Sequence, residues 1–327
     1  MIWIVWRQQR TLFITLAVGL VLGVAGVLAL RAMMTADFTG AGLGGCLRDV
    51  AQSGGVCGAD PNGAVQVTWT ARMRNGQLLM LALPALVGVF IGAPLYAREF
   101  EQGTHALAFT QSVSRTRWMA TKFLVTAVPA FAAVLVMQLA VGSWIEAAGS
   151  IGPLQNGRFV QAVFDNDGVS PAAYTLFAFT LGTFAGALFR RTLLGMTLTL
   201  GVFVVVRSLV FSFRESLGAT KRVVSDDPFA KSAPDGAWEL NGGYLNAKGE
   251  VITNRLEISG KCIGNDPTQA DPQAIEKCFR ENGVVKSFRD VIPADALGSL
   301  HLAEASIFLA LSVLFVAGTV WAVRRQT

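Results

Sequence analysis

The chain has 327 residues, of which 52% are hydrophobic and only 15% are charged, and its mean hydropathy is +0.48; this composition excludes an ordinary soluble domain. The net charge is +5, but the basic residues are scattered and form no basic face interleaved with aromatic residues, which argues against nucleic-acid binding. The composition predicts a protein embedded in membrane lipid.

Six apolar segments predict membrane-spanning helices. A helix needs about 20 apolar residues to cross the hydrocarbon core, and it satisfies its own backbone hydrogen bonds there. The predicted spans are Leu12–Ala32, Leu78–Ala97, Met119–Ser143, Pro171–Phe189, Leu193–Phe211 and Leu302–Val323. We therefore expect an all-α polytopic membrane protein with six transmembrane helices, located in the cell membrane.

Residues 1–11 are predicted to form an interfacial elbow helix before the first span. Trp3 and Trp6 are followed by Arg7 and Arg10, and aromatic and basic residues favour the headgroup region of a membrane. The apolar stretch from Leu12 is longer than the hydrophobic region of a secretory signal peptide. We expect the chain to turn from the interface into the first span.

Basic residues beside the short loops predict the orientation, because cytoplasmic loops are enriched in Lys and Arg. They cluster at four places: Arg7, Arg10, then Arg98, Arg115, Arg117, Lys122, then Arg190, Arg191, and finally Arg324 and Arg325. Both termini are therefore expected in the cytoplasm, although Arg48, Arg72 and Arg74 in the first outer loop count against this orientation.

The outer connections differ in length and character. Residues 35–76 are rich in glycine and are predicted to be irregular, whereas residues 144–170 are polar and contain glycines and a proline that are predicted to break any long helix. Residues 212–301 are long enough for a small extracellular domain. Weak alternation over 250–258 indicates a strand and the pattern of 272–282 indicates a helix, so this domain is predicted to be α+β.

All four cysteines lie in these outer connections, which is typical of an oxidising compartment. Four cysteines allow three connectivities, and pairing of sequence neighbours needs only local loop closure. We expect the disulfides Cys46–Cys57 and Cys262–Cys278, the second stapling the extracellular domain. Free thiols remain the alternative.

Glycines recur four positions apart in three of the spans, a spacing that lets helix backbones approach closely. The pairs are Gly19 with Gly23, Gly88 with Gly92, and Gly182 with Gly186. Packing within the bundle is the favoured interpretation, and a dedicated dimerisation face is the alternative.

We expect no catalytic residue, no metal site and no cofactor in this chain. The only histidines, His105 and His301, fall on opposite predicted sides of the membrane. The G-x-G-x-x-G pattern beginning at Gly40 follows a span rather than a strand, and Gly260-Lys261 lacks the preceding glycine of a phosphate-binding P-loop. Nucleotide energy must then come from another subunit.

Arg207 is the one charge clearly inside a predicted span, near its outer end. Placing a charge inside a membrane costs free energy, so a charged residue there is first interpreted as functional. Two interpretations remain open, because the side chain could snorkel outward or pair with Glu146 or Glu304 near the outer ends of the third and sixth spans.

The cytoplasmic segment between the second and third spans carries the most specific pattern. Gly103 interrupts the helix after the second span, residues 105–110 can form a short helical turn, and Ser114 can cap the third span. The pattern Glu99-x-x-x-Gly103-Thr104, then residues 110–115 (TQSVSR) and Lys122, resembles the cytoplasmic turn of ABC-2 type transporter permeases, particularly those of actinomycete drug and antibiotic exporters. The opening residues 6–10 (WRQQR) are similar to the start of the same subfamily.

This resemblance implies a six-helix permease subunit with an ABC-2/ABCG-like exporter fold, which pairs with a second permease, identical or homologous, and with two ATP-binding subunits that hold ATP and Mg. It implies a coupling helix at about 98–113 and a second contact at the turn after the fourth span. The residues in those contacts are Arg98, Glu99, Glu101, Gly103, Thr104, Phe109, Arg190 and Arg191. The expected cargo is hydrophobic or amphipathic, such as a drug, antibiotic, lipid or peptide.

Two other classes of protein remain as alternatives. A membrane-anchored sensor or immunity protein would use the extracellular domain as a binding module and would need no ATPase. A membrane-embedded enzyme would need polar residues clustered at one depth, which the sequence lacks.

Overall fold

The computed structural model describes residues 2–43, 64–103, 114–149, 152, 154, 157–227, 234, 236–263 and 272–325. Among these residues, six helices are long and apolar enough to cross a membrane, which confirms the number of predicted spans. The chain divides into two compact units, the first formed by Met1–Phe213 and His301–Thr327 and the second by Arg214–Leu300.

The first unit is helical. Its helices are α1 (Ile2–Gly40), α2 (Ala64–Leu86), a π-helical segment (Val87–Gly92), α3 (Pro94–Glu101), α4 (Arg115–Ala148), α5 (Gln161–Phe164), α6 (Ser170–Phe189), most of α7 (Thr192–Leu217) and most of α10 (Leu297–Arg324). The second predicted span is therefore a composite of α2, the π segment and α3.

Two sequence-based expectations for the first unit differ from the structure. Residues 1–11 do not form a separate elbow, because α1 runs unbroken from Ile2 to Gly40. The first outer connection is not irregular throughout, since 35–40 belong to α1 and 64–76 belong to α2. In both cases the apolar segment alone set the predicted boundary, whereas the helix continues into polar residues whose backbone hydrogen bonds it still satisfies.

Helix α6 and the π segment touch backbone to backbone. A Cβ atom added at Gly182 would overlap the carbonyl oxygen of Gly88, and one at Gly186 would overlap the carbonyl oxygen of Ala93. These glycines therefore pack helices within the bundle, which confirms the favoured interpretation for two of the three pairs. At Gly19 an added Cβ would meet open space.

The helices of the first unit differ in burial. Tyr174, Phe177 and Phe179 of α6 are fully buried, whereas α1 and α7 expose most of their apolar side chains. Exposed residues of these two helices include Ile14, Val21, Leu22, Leu193, Val204, Val205 and Leu209. Surfaces of this kind suit contact with lipid or with another membrane helix.

The second unit is α+β, as predicted. Its antiparallel sheet has the order β1 (Lys221–Ser225), β3 (Lys286–Ile292), β2 (Trp238–Leu245). The described residues of this unit also include two helices, α8 (Arg255–Ile263) and α9 (Pro272–Glu281), and the second of these matches the predicted helix closely.

A disulfide joins the two helices of this unit, and an apolar cluster lies beside it. Cys262 of α8 and Cys278 of α9 form the predicted bond, with a Cα–Cα distance of 5.6 Å, and Ile258, Phe279 and Val284 form the buried cluster. The strand expected at 250–258 is wrong, because only Val251 forms an isolated bridge and α8 begins at Arg255. The other predicted pair, Cys46–Cys57, lies outside the described residues.

Candidate functional site

The end of α3 carries an ion pair to α4. The Lys122 ammonium contacts the Glu99 carboxylate, and their side chains are only 5% and 14% exposed. Lys122 also lies 5.5 Å from the centre of the Trp118 ring, which attracts a cation through its π electrons. Breaking such a pair leaves a poorly hydrated charge, so the pair fixes α3 against α4.

Two hydrogen bonds strengthen the same junction. The buried Tyr96 hydroxyl donates to the backbone carbonyl of Met119 at 2.9 Å, and the Thr126 hydroxyl donates to the side-chain oxygen of Gln9 at 2.7 Å. The first bond links α3 to α4 and the second links α4 to α1. Three helices are thus joined by polar contacts at one end of the bundle.

Glu101, the last residue of α3, contacts the start of α7. Its carboxylate accepts hydrogen bonds from the Thr192 hydroxyl at 2.7 Å and from the Thr192 backbone N–H at 3.3 Å. The first N–H groups of a helix lack partners inside the helix, and a carboxylate there also interacts favourably with the helix dipole. Glu101 therefore acts as a capping group supplied from another helix.

The turn between α6 and α7 holds Arg190 and Arg191. Arg190 has a φ of 55°, a left-handed conformation that ends many helices, and its N–H donates to the Gly186 carbonyl at 3.1 Å. Because Thr192 follows directly, the turn lies beside the end of α3. The structure therefore brings together two regions that the sequence predicted only as separate contacts.

The remaining predicted residues of this region are placed in part. Arg98 is exposed on α3, and Gly103 follows the helix with a φ of 70°. Thr104 and Phe109, and with them most of the predicted coupling helix at 98–113, lie outside the described residues. The sequence analysis missed Thr192. It follows the arginine pair and precedes an apolar run, and a threonine in that position is a signal of a helix start.

A second charged cluster lies in the same unit, around Arg207 of α7. Its guanidinium contacts the carboxylates of Asp165 at 2.5 Å and Glu304 at 3.0 Å, while its side chain is 13% exposed and both carboxylates are fully buried. The pairing alternative for Arg207 therefore holds, with Glu304 of α10 as the predicted partner. Glu146 is instead exposed on α4.

Asp165 is a partner that sequence reasoning missed. It follows the short helix α5, in a connection that was predicted to hold no long helix. The available signal was an acidic residue six positions before the predicted fourth span. The Tyr174 hydroxyl, which has one hydrogen to donate, lies between the two carboxylates, 2.8 Å from that of Glu304 and 3.3 Å from that of Asp165. The Arg207 guanidinium lies 3.9 Å from the centre of the Tyr174 ring.

One turn away on α10, His301 extends the polar cluster. Its Nδ1 is 2.7 Å from the Ser170 hydroxyl, and its ring stacks on Phe164 with centroids 3.9 Å apart. Helices α5, α6, α7 and α10 are thus held together by buried polar and aromatic contacts. Separating these helices would leave buried charges without partners, so the cluster stabilises the junction.

Comparison with known proteins identifies the first unit. A model of the family described as ABC-2 membrane transporter related matches residues 17–214, more than half of the chain. No curated protein and no solved structure matches it. The matched region contains α1 from residue 17 onward, α2 to α6 and most of α7. It includes the ion pair of α3 with α4 and the Thr192 contact. The chain belongs to the ABC-2 membrane transporter related family.

Proposed function

We propose that the chain is the permease subunit of an ATP-binding-cassette exporter, moved by separate ATP-binding subunits. Membership of the family and the six apolar helices fit the membrane subunit of a transporter. The observation that carries the rest of the proposal is the contact of Glu101 with Thr192. It joins the start of the predicted coupling helix to the arginine-bearing turn, so that a partner seated there would contact both.

Helix α7 is the element that this contact would move. Thr192 begins α7 and Arg207 lies 15 residues later, which is roughly 22 Å along a helix at 1.5 Å per residue. Between these points α7 packs on the bundle through residues such as Phe203, whose ring lies 5.9 Å from that of Phe177. A displacement of α3 would therefore act on the start of α7, whereas Arg207, further along α7, is held by buried carboxylates.

The composite second span is the element that we expect to bend when α3 moves. A π-helical segment has hydrogen bonds one residue longer than an α-helix and is often found at functional positions. Here only Ala93 separates it from Pro94, the first residue of α3, and Pro removes a backbone donor. We infer that α3 can tilt relative to α2 while the π segment stays packed on α6.

The cargo is proposed to be hydrophobic or amphipathic, such as a drug, antibiotic, lipid or peptide. A path for it would lie between this permease and a second, identical or homologous permease. The exposed apolar side chains of α1 and α7 support such a path, because a lining of this kind favours apolar cargo. ATP and Mg would be bound by the two ATP-binding subunits.

Affinity purification of the tagged chain from its native membranes in mild detergent tests the proposal. The preparation is expected to contain a subunit with a P-loop and to hydrolyse ATP. Replacement Glu101→Gln, which weakens the hydrogen bonds to Thr192, is expected to lower this ATPase activity severalfold, while Glu146→Gln, a matched change at an exposed glutamate of α4, leaves it unchanged. A preparation that contains the chain alone, and still binds a ligand through residues 214–300, would support the sensor or immunity alternative instead.

A further inference from the structure

A cleft of about 330 Å³ opens between the start of α1 and the end of the composite second span. Its volume lies at the lower end of the range of about 300 to 1,000 Å³ that is usual for small-molecule sites. Gln8 and Leu12 line one wall, Phe90, Leu95 and Arg98 line the other, and the Glu99–Lys122 pair borders the cleft. All these residues belong to the first unit.

Both walls change from polar to apolar towards the inside of the bundle. On α1 the polar Gln8 precedes Leu12, which begins the apolar run, and on the opposite wall the apolar Phe90 precedes the charged Arg98. Phe90 is 58% exposed although it lies on a predicted span. The cleft thus presents a charged end and an apolar end on one continuous surface, which matches an amphipathic ligand better than a soluble ion.

The charge of the cleft favours an anion. Lys122 is already paired with Glu99, whereas the exposed guanidinium of Arg98 has no acidic partner within the described part of the chain. Arg98 therefore contributes a positive charge that is available to a ligand. A guanidinium binds the oxygens of a phosphate through two parallel hydrogen bonds.

The neighbouring aromatic residues indicate the depth of the cleft in a membrane. Trp3 and Trp6, within two turns of Gln8, are 67% and 54% exposed, and the Trp6 ring stacks on that of Phe13 at 4.8 Å. The Arg7 guanidinium lies 5.4 Å from the Trp3 ring. Exposed tryptophans beside arginines are typical of the headgroup level, so the cleft opens where lipid phosphates lie.

We propose that this cleft is a binding site for one anionic phospholipid, with its phosphate on Arg98 and an acyl chain along Leu12 and Phe90. The bound lipid would connect α1 to the end of α3, the segment that carries Glu99 and Glu101. The proposal requires only that the chain is embedded in a membrane. It does not depend on transport or on an ATP-binding subunit.

Native mass spectrometry of the purified chain tests this site, with dioleoyl phosphatidylglycerol and dioleoyl phosphatidylcholine offered at equal concentration. The native chain is expected to retain one phosphatidylglycerol in preference to phosphatidylcholine. Arg98→Gln is expected to lower that affinity about fivefold, since a basic residue at a membrane surface contributes roughly 1 kcal/mol. Thr11→Trp, which places a bulky ring in the cleft without changing the charge, is expected to lower it as well.

Arg117→Gln is the matched control, because Arg117 is an exposed arginine in the first turn of α4 and does not line the cleft. It should leave phosphatidylglycerol binding unchanged. Equal losses in Arg98→Gln and Arg117→Gln would overturn the site in favour of general attraction to basic residues, and native-like binding by Arg98→Gln or Thr11→Trp would also overturn it. Displacement of the lipid by an equal concentration of glycerol phosphate would show that a free phosphate, not a lipid, is the ligand.

Discussion

Helix α7 contacts the rest of the bundle at two points that differ in burial and in charge. At its start, Thr192 hydrogen-bonds to the surface carboxylate of Glu101, a contact that water can replace at low cost. Near its other end, Arg207 contacts the two fully buried carboxylates of Asp165 and Glu304. The exposed Glu101–Thr192 contact is therefore suited to opening and closing, whereas the buried contacts of Arg207 are suited to a fixed support.

The largest loss of stability is expected when the buried contacts of Arg207 are removed. Arg207→Leu leaves two carboxylates inside the bundle without their cation, and removal of one member of a buried ion pair typically costs about 3 to 5 kcal/mol. We expect a large fall in the unfolding temperature of the detergent-solubilised protein, measured by intrinsic fluorescence. Glu146→Gln, at an exposed carboxylate, should leave the unfolding temperature unchanged, and an equal response of the two variants would refute the support assigned to Arg207.

A smaller effect is expected at the junction of α3 with α4. Lys122→Met leaves Glu99 in a site that is 14% exposed, so the predicted loss of stability is about 1 to 3 kcal/mol. The double replacement Glu99→Gln with Lys122→Met should recover part of this loss, because no unpaired charge remains. Strict additivity of the two single changes in thermal unfolding would rule out the coupling.

Changes at the exposed Glu101–Thr192 contact should affect transport-linked ATP hydrolysis but not the stability of the fold. Glu101→Gln and Thr192→Val each alter only a solvent-exposed hydrogen bond and are expected to leave the unfolding temperature nearly unchanged, yet each should reduce the ATPase activity of the purified transporter. Measured together, the unfolding temperature and the ATP turnover distinguish this outcome from simple misfolding. Unchanged turnover in both variants would mean that the contact plays no part in coupling.

The smallest effect is expected in the second unit, where ion pairs are exposed. The hydrogen bonds from Arg222 hold the pKa of the Asp290 carboxyl below its usual value, and the Lys286 ammonium does the same for the pKa of Asp226. A lowered pKa in the folded state stabilises the fold at pH values above the ordinary carboxyl pKa, and this stabilisation is lost as the pH falls through the folded-state pKa. The protection factors of the β1 and β3 amides, taken relative to the intrinsic exchange rate at each pH, should therefore fall modestly in acid, below the ordinary Asp range near pH 4.

Asp290→Asn supplies the control for this pH effect. The variant lacks the carboxyl that titrates opposite Arg222, so its β1 protection should depend less on pH than that of the native chain. The cross-strand register places Asp290 directly beside Arg222, and a change elsewhere on the sheet would not remove the pair. Identical pH profiles for the two proteins would contradict the assignment.

The spans were predictable from the sequence because hydrocarbon selects long apolar runs without regard to tertiary contacts. The helical structure of residues 35–40 and 64–76 was not predictable, since polar residues outside an apolar run carry no comparable signal for a helix. The close packing of Gly182 and Gly186 was predictable from their spacing. Pairing of Arg207 with Glu304 was only one of the open alternatives, because the cost of an intramembrane charge did not decide between pairing and snorkelling or between Glu146 and Glu304 as the partner. Asp165 and Thr192 escaped prediction because their roles arise from helices that are distant in sequence.

The orientation of the chain is the claim on which the coupling proposal depends, and cysteine labelling in intact cells tests it most directly. A membrane-impermeant maleimide is applied to cells that produce Gln102→Cys, at the end of α3, or Glu257→Cys, in the second unit, with the native chain as background. We predict labelling of Glu257→Cys in intact cells and of Gln102→Cys only after the membrane is permeabilised. Labelling of both variants in intact cells would contradict an ATP-binding partner at the end of α3.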